Sequence, residues 1–482
     1  MKLVTGFTAT MMLWASTALA QEISNDTVKI GAMVDMTGVY SANGGTGGVL
    51  GAQMAVEDYG GKVAGKQIEV ISANYQNRVD VASNLAREWI DRDGVDMIIE
   101  STDSAAAIAI QNIGKEKGVM TIAAGSASTA LTNDECSPLG IHYVYDTYAL
   151  ATGTGSAIVK SGLKDWYFVT ADYAFGHSLE DNTASVVKDL GGNVVGSVRH
   201  PFKATDYSSF ILQAQTSGAQ VVAFANAGTD FSTALKQASE FGVVQSGQTV
   251  AGMLVFLTDL YALGLDVAQG LTYTTGFYWN YSDETRAFST RFKDRHGTMP
   301  TMIQAGMYSA VTHYLKGVEA TGTDDAATVR NWMGENPIND FFAKDGQIRE
   351  DGRMMHTMYL AQVRAPGESD DSDDVAKVLR DIPAEDAFMP LSKSTCSSVK
   401  PRCCIAAFGQ TATQPPQPLH WTVLTTATCR PSSVVPWVMA PYGHVGMHVP
   451  QPVQRSGSDQ AVMASTVTVP ARIGITAFET AA

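Results

Sequence analysis

Apolar and polar positions in the first third of the chain follow two alternating rhythms. Val28-Lys29-Ile30-Gly31-Ala32-Met33-Val34 is a short, nearly continuous apolar run, the pattern of a strand buried on both faces. A polar, glycine-rich stretch from Met36 to Gly48 follows. Val49, Ala52, Val56 and Tyr59 then recur at three- and four-residue spacing, which places them on one face of a helix. The rhythm repeats with a strand over Ile68 to Ser72, a helix over Val81 to Ile90 and a strand over Val95 to Ile99. A helix over Ser104 to Lys117 and a strand over Val119 to Ala123 complete the series. Strand–helix–strand connections of this length favour parallel pairing, so the pattern predicts a doubly wound lobe.

A second series begins near Tyr148 with a helix to Ser161, a strand over Trp166 to Thr170, a helix beyond Gly176 and a strand over Asn193 to Val198. Helix Ser208 to Thr216, strand Val221 to Ala225, helix Phe231 to Phe241 and the apolar run Val250 to Leu257 continue it. The architecture repeats but the sequence does not, and two like lobes leave a cleft between them. Leu271 to Phe277 reads as a further strand, followed by helices over Thr285 to His296 and Met302 to Ala320 that return to the first lobe. Gly346 to Val363 alternates around an Asp351-Gly352 turn and reads as a hairpin, and Glu368 to Asp374 as an acidic loop. Doubly wound sheets bind small ligands at the carboxyl ends of their strands.

Composition narrows the possibilities. Met1 to Ala20 has Lys2, a short apolar core and an Ala18-Leu19-Ala20 ending, the pattern of a cleavable export signal, so a periplasmic or secreted chain is expected. Its apolar core is shorter than a bilayer crossing needs, so the mature chain is not expected to insert in a membrane. A net charge of -15 argues against nucleic acid or anionic membranes as partners. After about Lys400 ten of the 17 prolines fall between Pro401 and Pro470 and no helical or strand period persists. That composition favours disorder, with a small appended domain or a frameshifted end as alternatives. Of the five cysteines, Cys136 and Cys396 can pair in an oxidising compartment or stand as free thiols, and Cys403-Cys404 lack partners at zinc spacing. Gly44-Gly45-Thr46-Gly47-Gly48 is no phosphate loop, and His177, His200 and His313 are dispersed. No enzyme, metal or cofactor is therefore expected, and a secreted hydrolase is the remote alternative.

Five stretches carry a resemblance. They are Lys29-Ile30-Gly31 through Thr37-Gly38, the Asp103-Ser104-Ala105-Ala106 loop, Gly125-Ser126-Ala127-Ser128 with Leu131-Thr132-Asn133, Asp172-Tyr173-Ala174-Phe175-Gly176, and Tyr308-Ser309-Ala310-Val311. Over Val28 to Lys400 the chain resembles the periplasmic leucine-binding type of solute-binding protein, the type I family that feeds ABC importers. The resemblance implies an α/β fold of two doubly wound parallel-sheet lobes joined by a three-crossing hinge. It implies the signal peptide over 1–20, a first lobe over 21–145 and a second over 146–270. A return to the first lobe follows over 271–345, then a second-lobe hairpin and hinge tail over 346–400, with 401–482 outside the pattern. The implied partners are a small carboxylate-bearing solute and the permease subunits of an importer, with a diffusible sensing subunit as the alternative.

Candidate ligand contacts come from strand ends. Ser104 and Ala105 open a helix, where hydroxyl, amide groups and dipole suit a carboxylate, although Ser104 serves equally as a helix cap. Ser126, Ala127 and Ser128 form a small-residue turn that lets a ligand approach the backbone. Tyr173 and Phe175 can cover an apolar ligand body, and Asn226 and Ala227 occupy the matching position after the next strand. Asp259 is a partner for a ligand ammonium group or a helix cap. Tyr40 and Tyr308 are expected to fill the cleft from the first lobe, Tyr308 through the family resemblance, with Gln304, Tyr278 and Trp279 behind them.

Overall fold

The computed structural model describes residues 23–100 and 102–399. The export signal expected over 1–20 and the proline-rich stretch 401–482 lie outside the described residues. The first apolar run forms β1 (Thr27–Val34). Its side chains alternate between two cores, as a strand with helices on both faces requires. Val28, Ile30, Ala32 and Val34 enter the large core, whereas Met33 joins Tyr75, Trp89 and Ile98 on the other face. Gly31 lies against Trp89, where a Cβ would stand 2.6 Å from the indole ring.

With β2 (Lys62–Val63), β3 (Lys66–Asn74), β4 (Met97–Glu100), β5 (Met120–Ala123) and β6 (Gly140–His142), β1 builds a six-stranded sheet in the order β2-β3-β1-β4-β5-β6. All neighbours pair parallel except β2 and β3. The second lobe holds β7 (Asp165–Ala171), β8 (Asn193–His200), β9 (Val221–Ala225) and β10 (Thr249–Gly252), parallel in the order β10-β9-β7-β8. The apolar run predicted over Val250 to Leu257 leaves the sheet after Gly252, and its remainder carries Phe256 toward the lobe boundary.

A third sheet joins β11 (Thr272–Thr275), β14 (Met358–Val363) and β15 (Ala376–Ile382), all antiparallel. Between them β12 (Gln347–Ile348) and β13 (Met354–Met355) form a hairpin around Asp351-Gly352 that is shorter than the sequence alternation suggests. The alternation continues into β14, but β14 takes β11 and β15 as partners, and the hairpin instead bridges to His142 at the edge of the first sheet. Helices Asp283–His296 and Met302–Thr321 return to the first lobe, where Arg291 and Arg295 pair with Asp58 and Glu57 of helix Gly45–Asp58.

Up to β15 the chain passes between lobes three times, and the crossings meet. A Cβ on Gly276 would lie 3.3 Å from both Val144 of the first crossing and His356 of the third. Arg353, 1% exposed, donates to the carbonyls of Tyr143 at 2.6 Å, Tyr145 at 3.0 Å and Met354 at 3.0 Å, and packs over the Phe388 ring. His356 binds the Val144 carbonyl, so the first crossing has its backbone acceptors filled by side chains of the third. Beyond β15 the chain returns to the first lobe, where Ser394 donates to the Thr132 carbonyl at 3.0 Å and Cys396 forms a disulfide with Cys136.

Candidate functional site

The lobes are closed on each other around a small cavity. The loop after β1 is set by buried Asp35, which accepts from the amides of Gly38 at 2.7 Å and Tyr40 at 3.0 Å. The loop thereby carries Tyr40 and Asn43 to the second lobe. The Tyr40 and Tyr173 hydroxyls meet in a hydrogen bond, and Phe202 stacks 4.5 Å from Tyr173. Asn43 donates to Thr258 at 3.0 Å, and the Thr229 amide donates to the Val39 carbonyl at 3.2 Å. Gly228 makes this approach possible: its φ is +61°, and a Cβ would stand 2.5 Å from the Val39 oxygen.

Inside this closure lies a small cavity with free room for about one water. Tyr40, Thr102, Gly125 and Ile303 line it from the first lobe, Tyr145 from the first crossing, and Phe175, Ala227, Leu254 and Phe256 from the second lobe. The wall is mostly aromatic and aliphatic and, among the described residues, contains no lysine or arginine.

Beneath the first-lobe wall two sets of polar groups are organised at the carboxyl ends of β4 and β5. In one, the fully buried Ser104 hydroxyl accepts from the amides of Ala127 at 3.2 Å and Ser128 at 3.1 Å. Ser104 is the first residue of helix Ser104–Lys117, but the cap is Asp103, which accepts from the Ala106 amide at 2.8 Å. The cap role weighed for Ser104 therefore belongs to its neighbour. In the other set, Glu100 accepts from the amides of Thr102 at 2.5 Å and Asp103 at 2.8 Å, from the Tyr75 hydroxyl at 2.8 Å, and from the Ser126 hydroxyl. Burial pushes the Glu100 carboxyl up to about 7, against these four hydrogen bonds. His142 of β6 binds the Ser126 carbonyl at 2.6 Å, and burial holds its ring well below the usual histidine range.

Tyr40, Phe175 and Ala227 reach the cavity itself. Ser104, Ser126, Ala127 and Ser128 form its first-lobe underlayer, with Ser126 committed to Glu100 and Ser128 accepting from the Ala130 amide at 3.3 Å. Ala105 is half-buried on the same helix turn. Tyr173 belongs to the closure contact, and buried Asn226 lies 3.1 Å from His200, its Oδ1 unpartnered among the described residues. Asp259 accepts from the Phe256 amide at 2.9 Å and lies 3.4 Å from the Asn43 amide nitrogen. It thus caps helix Leu257–Leu263 and latches the lobes, and burial pushes its carboxyl up to about 7.

Tyr308 is not brought to the cavity: its hydroxyl donates to Asp58 at 2.7 Å, on the face of its helix that meets helix Gly45–Asp58. Gln304 caps its own helix through the Thr301 amide at 2.9 Å, and Tyr278 and Trp279 turn toward Asp374 and Asp373. Sequence reasoning missed Glu100, Thr102, Tyr145, Phe256 and Ile303. Glu100 directly follows the apolar Met97-Ile98-Ile99 run, and a carboxylate closing a buried strand was the available signal. Tyr145 sits on a hinge crossing, which has no periodicity to betray it.

A family model described as a periplasmic binding protein matches residues 27–373. The chain is similar to a periplasmic binding protein of known structure from Burkholderia mallei, 47% identical, covering 78% of this chain and 100% of that one with a TM-score of 0.77. It is also similar to a branched chain amino acid ABC transporter periplasmic ligand-binding protein from Burkholderia xenovorans LB400. That structure is 39% identical and covers 77% of this chain and 99% of its own, with a TM-score of 0.70. Among curated proteins, Leu/Ile/Val-binding protein homolog 6 of Brucella abortus is 26% identical over 371 residues, 75% of this chain and 92% of the relative. Among the described residues no helix is long and apolar enough to cross a membrane.

Proposed function

The chain belongs to the periplasmic binding protein family, and on that premise we propose that it is the solute-capturing component of an ABC importer. It closes its lobes over a small carboxylate-bearing solute with an apolar body, and a membrane permease receives the closed form. The solute is a branched-chain amino acid or an aromatic or short organic acid, classes to which the Burkholderia xenovorans and Brucella relatives lend the first alternative.

One observation carries this reading. The Ser104 hydroxyl and the Ala127 and Ser128 amides converge within 3.2 Å at the strand ends beside an aromatic cavity. A hydroxyl that accepts two hydrogen bonds still has its proton to give, and the two amides polarise it as a donor to a carboxylate. Phe175, Tyr145 and Phe256 supply the apolar cover.

A thermal-shift screen of the purified full chain against amino acids, amides and aromatic acids tests it. A true ligand at 100 times its Kd stabilises the folded form by about 2.7 kcal/mol and raises the melting temperature accordingly. The reading fails if no carboxylate in the panel shifts melting, or if Ser104→Ala leaves the affinity of a bound carboxylate unchanged.

A further inference from the structure

Glu100 is an unusual neighbour for a carboxylate site. The cavity wall holds Thr102 and Gly125, and Glu100 lies directly behind both, bonded to the Thr102 amide and to the hydroxyl of Ser126, the residue after Gly125. The donors that this lobe offers an anion are thus divided. Ser126 and the Thr102 and Asp103 amides serve Glu100, whereas the Ser104 hydroxyl, accepting from the Ala127 and Ser128 amides, keeps its own proton to give.

The groups facing Glu100 give it no compensating positive charge. Tyr75 reaches it from the end of β3, Asp103 from the turn leading into helix Ser104–Lys117, and Tyr145 from the first crossing. His142 of β6, one hydrogen bond away through the Ser126 carbonyl, is kept neutral by burial. Asp259 of the second lobe, also felt by Tyr145, adds a further acid rather than a base.

We infer that Glu100 is a specificity-determining residue of the cleft, a built-in carboxylate that restricts it to solutes bearing one anionic group. The inference rests on the reading of the cleft as a carboxylate site. A first carboxylate finds the Ser104 hydroxyl. A second finds its donors occupied and a like charge behind them. Two unit charges about 6 Å apart at an effective dielectric near 20 weaken binding by roughly 100-fold.

The test is calorimetry on the full chain with two matched pairs, leucine against glutamate and benzoate against terephthalate, at pH 6 and pH 8. The second carboxyls of glutamate and terephthalate are ionised at both values. In the wild type the dicarboxylate binds roughly 100-fold more weakly at pH 8, and the gap shrinks at pH 6, where Glu100 takes up a proton. In Glu100→Gln the gap at pH 8 narrows by about 100-fold, through the dicarboxylate's affinity. If that variant does not fold, Tyr75→Phe removes one donor from Glu100 and moves the narrowing to higher pH. A gap that ignores pH and these substitutions, with a monocarboxylate still bound, overturns the role of Glu100 alone. Failure of the wild type to bind any monocarboxylate overturns the carboxylate reading of the cleft, and this inference with it.

Discussion

Replacing Arg353 by methionine tests how the crossings are held. The guanidinium is 1% exposed, fills the carbonyls of Tyr143, Tyr145 and Met354, and lies 3.6 Å from Asp146, itself 2% exposed. Burial holds its pKa down to about 10, so it remains charged at neutral pH. Methionine keeps much of the volume over Phe388 but leaves three carbonyls without their donor and Asp146 without a countercharge. Removing one partner of a buried pair costs about 3–5 kcal/mol, a large share of the roughly 5–15 kcal/mol that separates folded from unfolded proteins. An unfolding entropy of about 2.1 cal/mol/K per residue makes 4 kcal/mol worth roughly 5 °C in a folded body of this size. Urea titrations followed by circular dichroism, with calorimetric melting, measure both quantities. Arg295→Met provides the contrast, since its pair with Glu57 is 40% and 55% exposed and is worth at most about 1 kcal/mol. A loss below about 1 kcal/mol for Arg353→Met refutes the idea that this side chain secures the hinge.

Gly228→Ala forces a side chain into a φ of +61° and toward the Val39 oxygen, so the closed arrangement becomes strained by about 1–3 kcal/mol. Solute affinity is expected to fall by about tenfold or more, with a larger radius of gyration in X-ray scattering, and unchanged values in both contradict the closure argument. Burial raises Asp96, Glu100 and Asp259 to about 7 and Asp230 to about 6. Between about pH 4 and 7 these four carboxyls hold more protons folded than unfolded, and their contribution to stability falls as pH rises, while His142, His200, His296, His313 and His356, lowered by burial, contribute in the opposite sense. Relative to the wild type, Asp96→Asn is expected to gain more melting temperature at pH 8 than at pH 5.5, and the opposite order is the refuting result.

Where local periodicity governs, the sequence was readable: helix Ser104–Lys117 and strands Val221–Ala225 and Thr27–Val34 follow their apolar spacing almost to the residue. The hairpin was misjudged because alternation specifies a strand but not its partner, and β14 found two better ones. Tyr308 shows the same limit on a helix, since its spacing says that one face packs without saying against which neighbour. Asp58, distant in sequence by 250 residues, decides it. The polar underlayer was half visible. Ser104 and the Gly125–Ser128 turn announced themselves as small residues at strand ends, whereas the contest between Asp103 and Ser104 for the helix cap, and between Glu100 and a ligand for Ser126, depends on angles that only the folded chain fixes.

The bridge between Cys136 and Cys396 spans 260 residues, so the second lobe and the return to the first are strung between its two sulfurs. A chain that emerges amino end first must hold Cys136 in reserve while the entire second lobe is produced, because its mate lies beyond that lobe. Oxidation at this position is consequently a seal on finished work, and a chain cut short before Cys396 can never receive it.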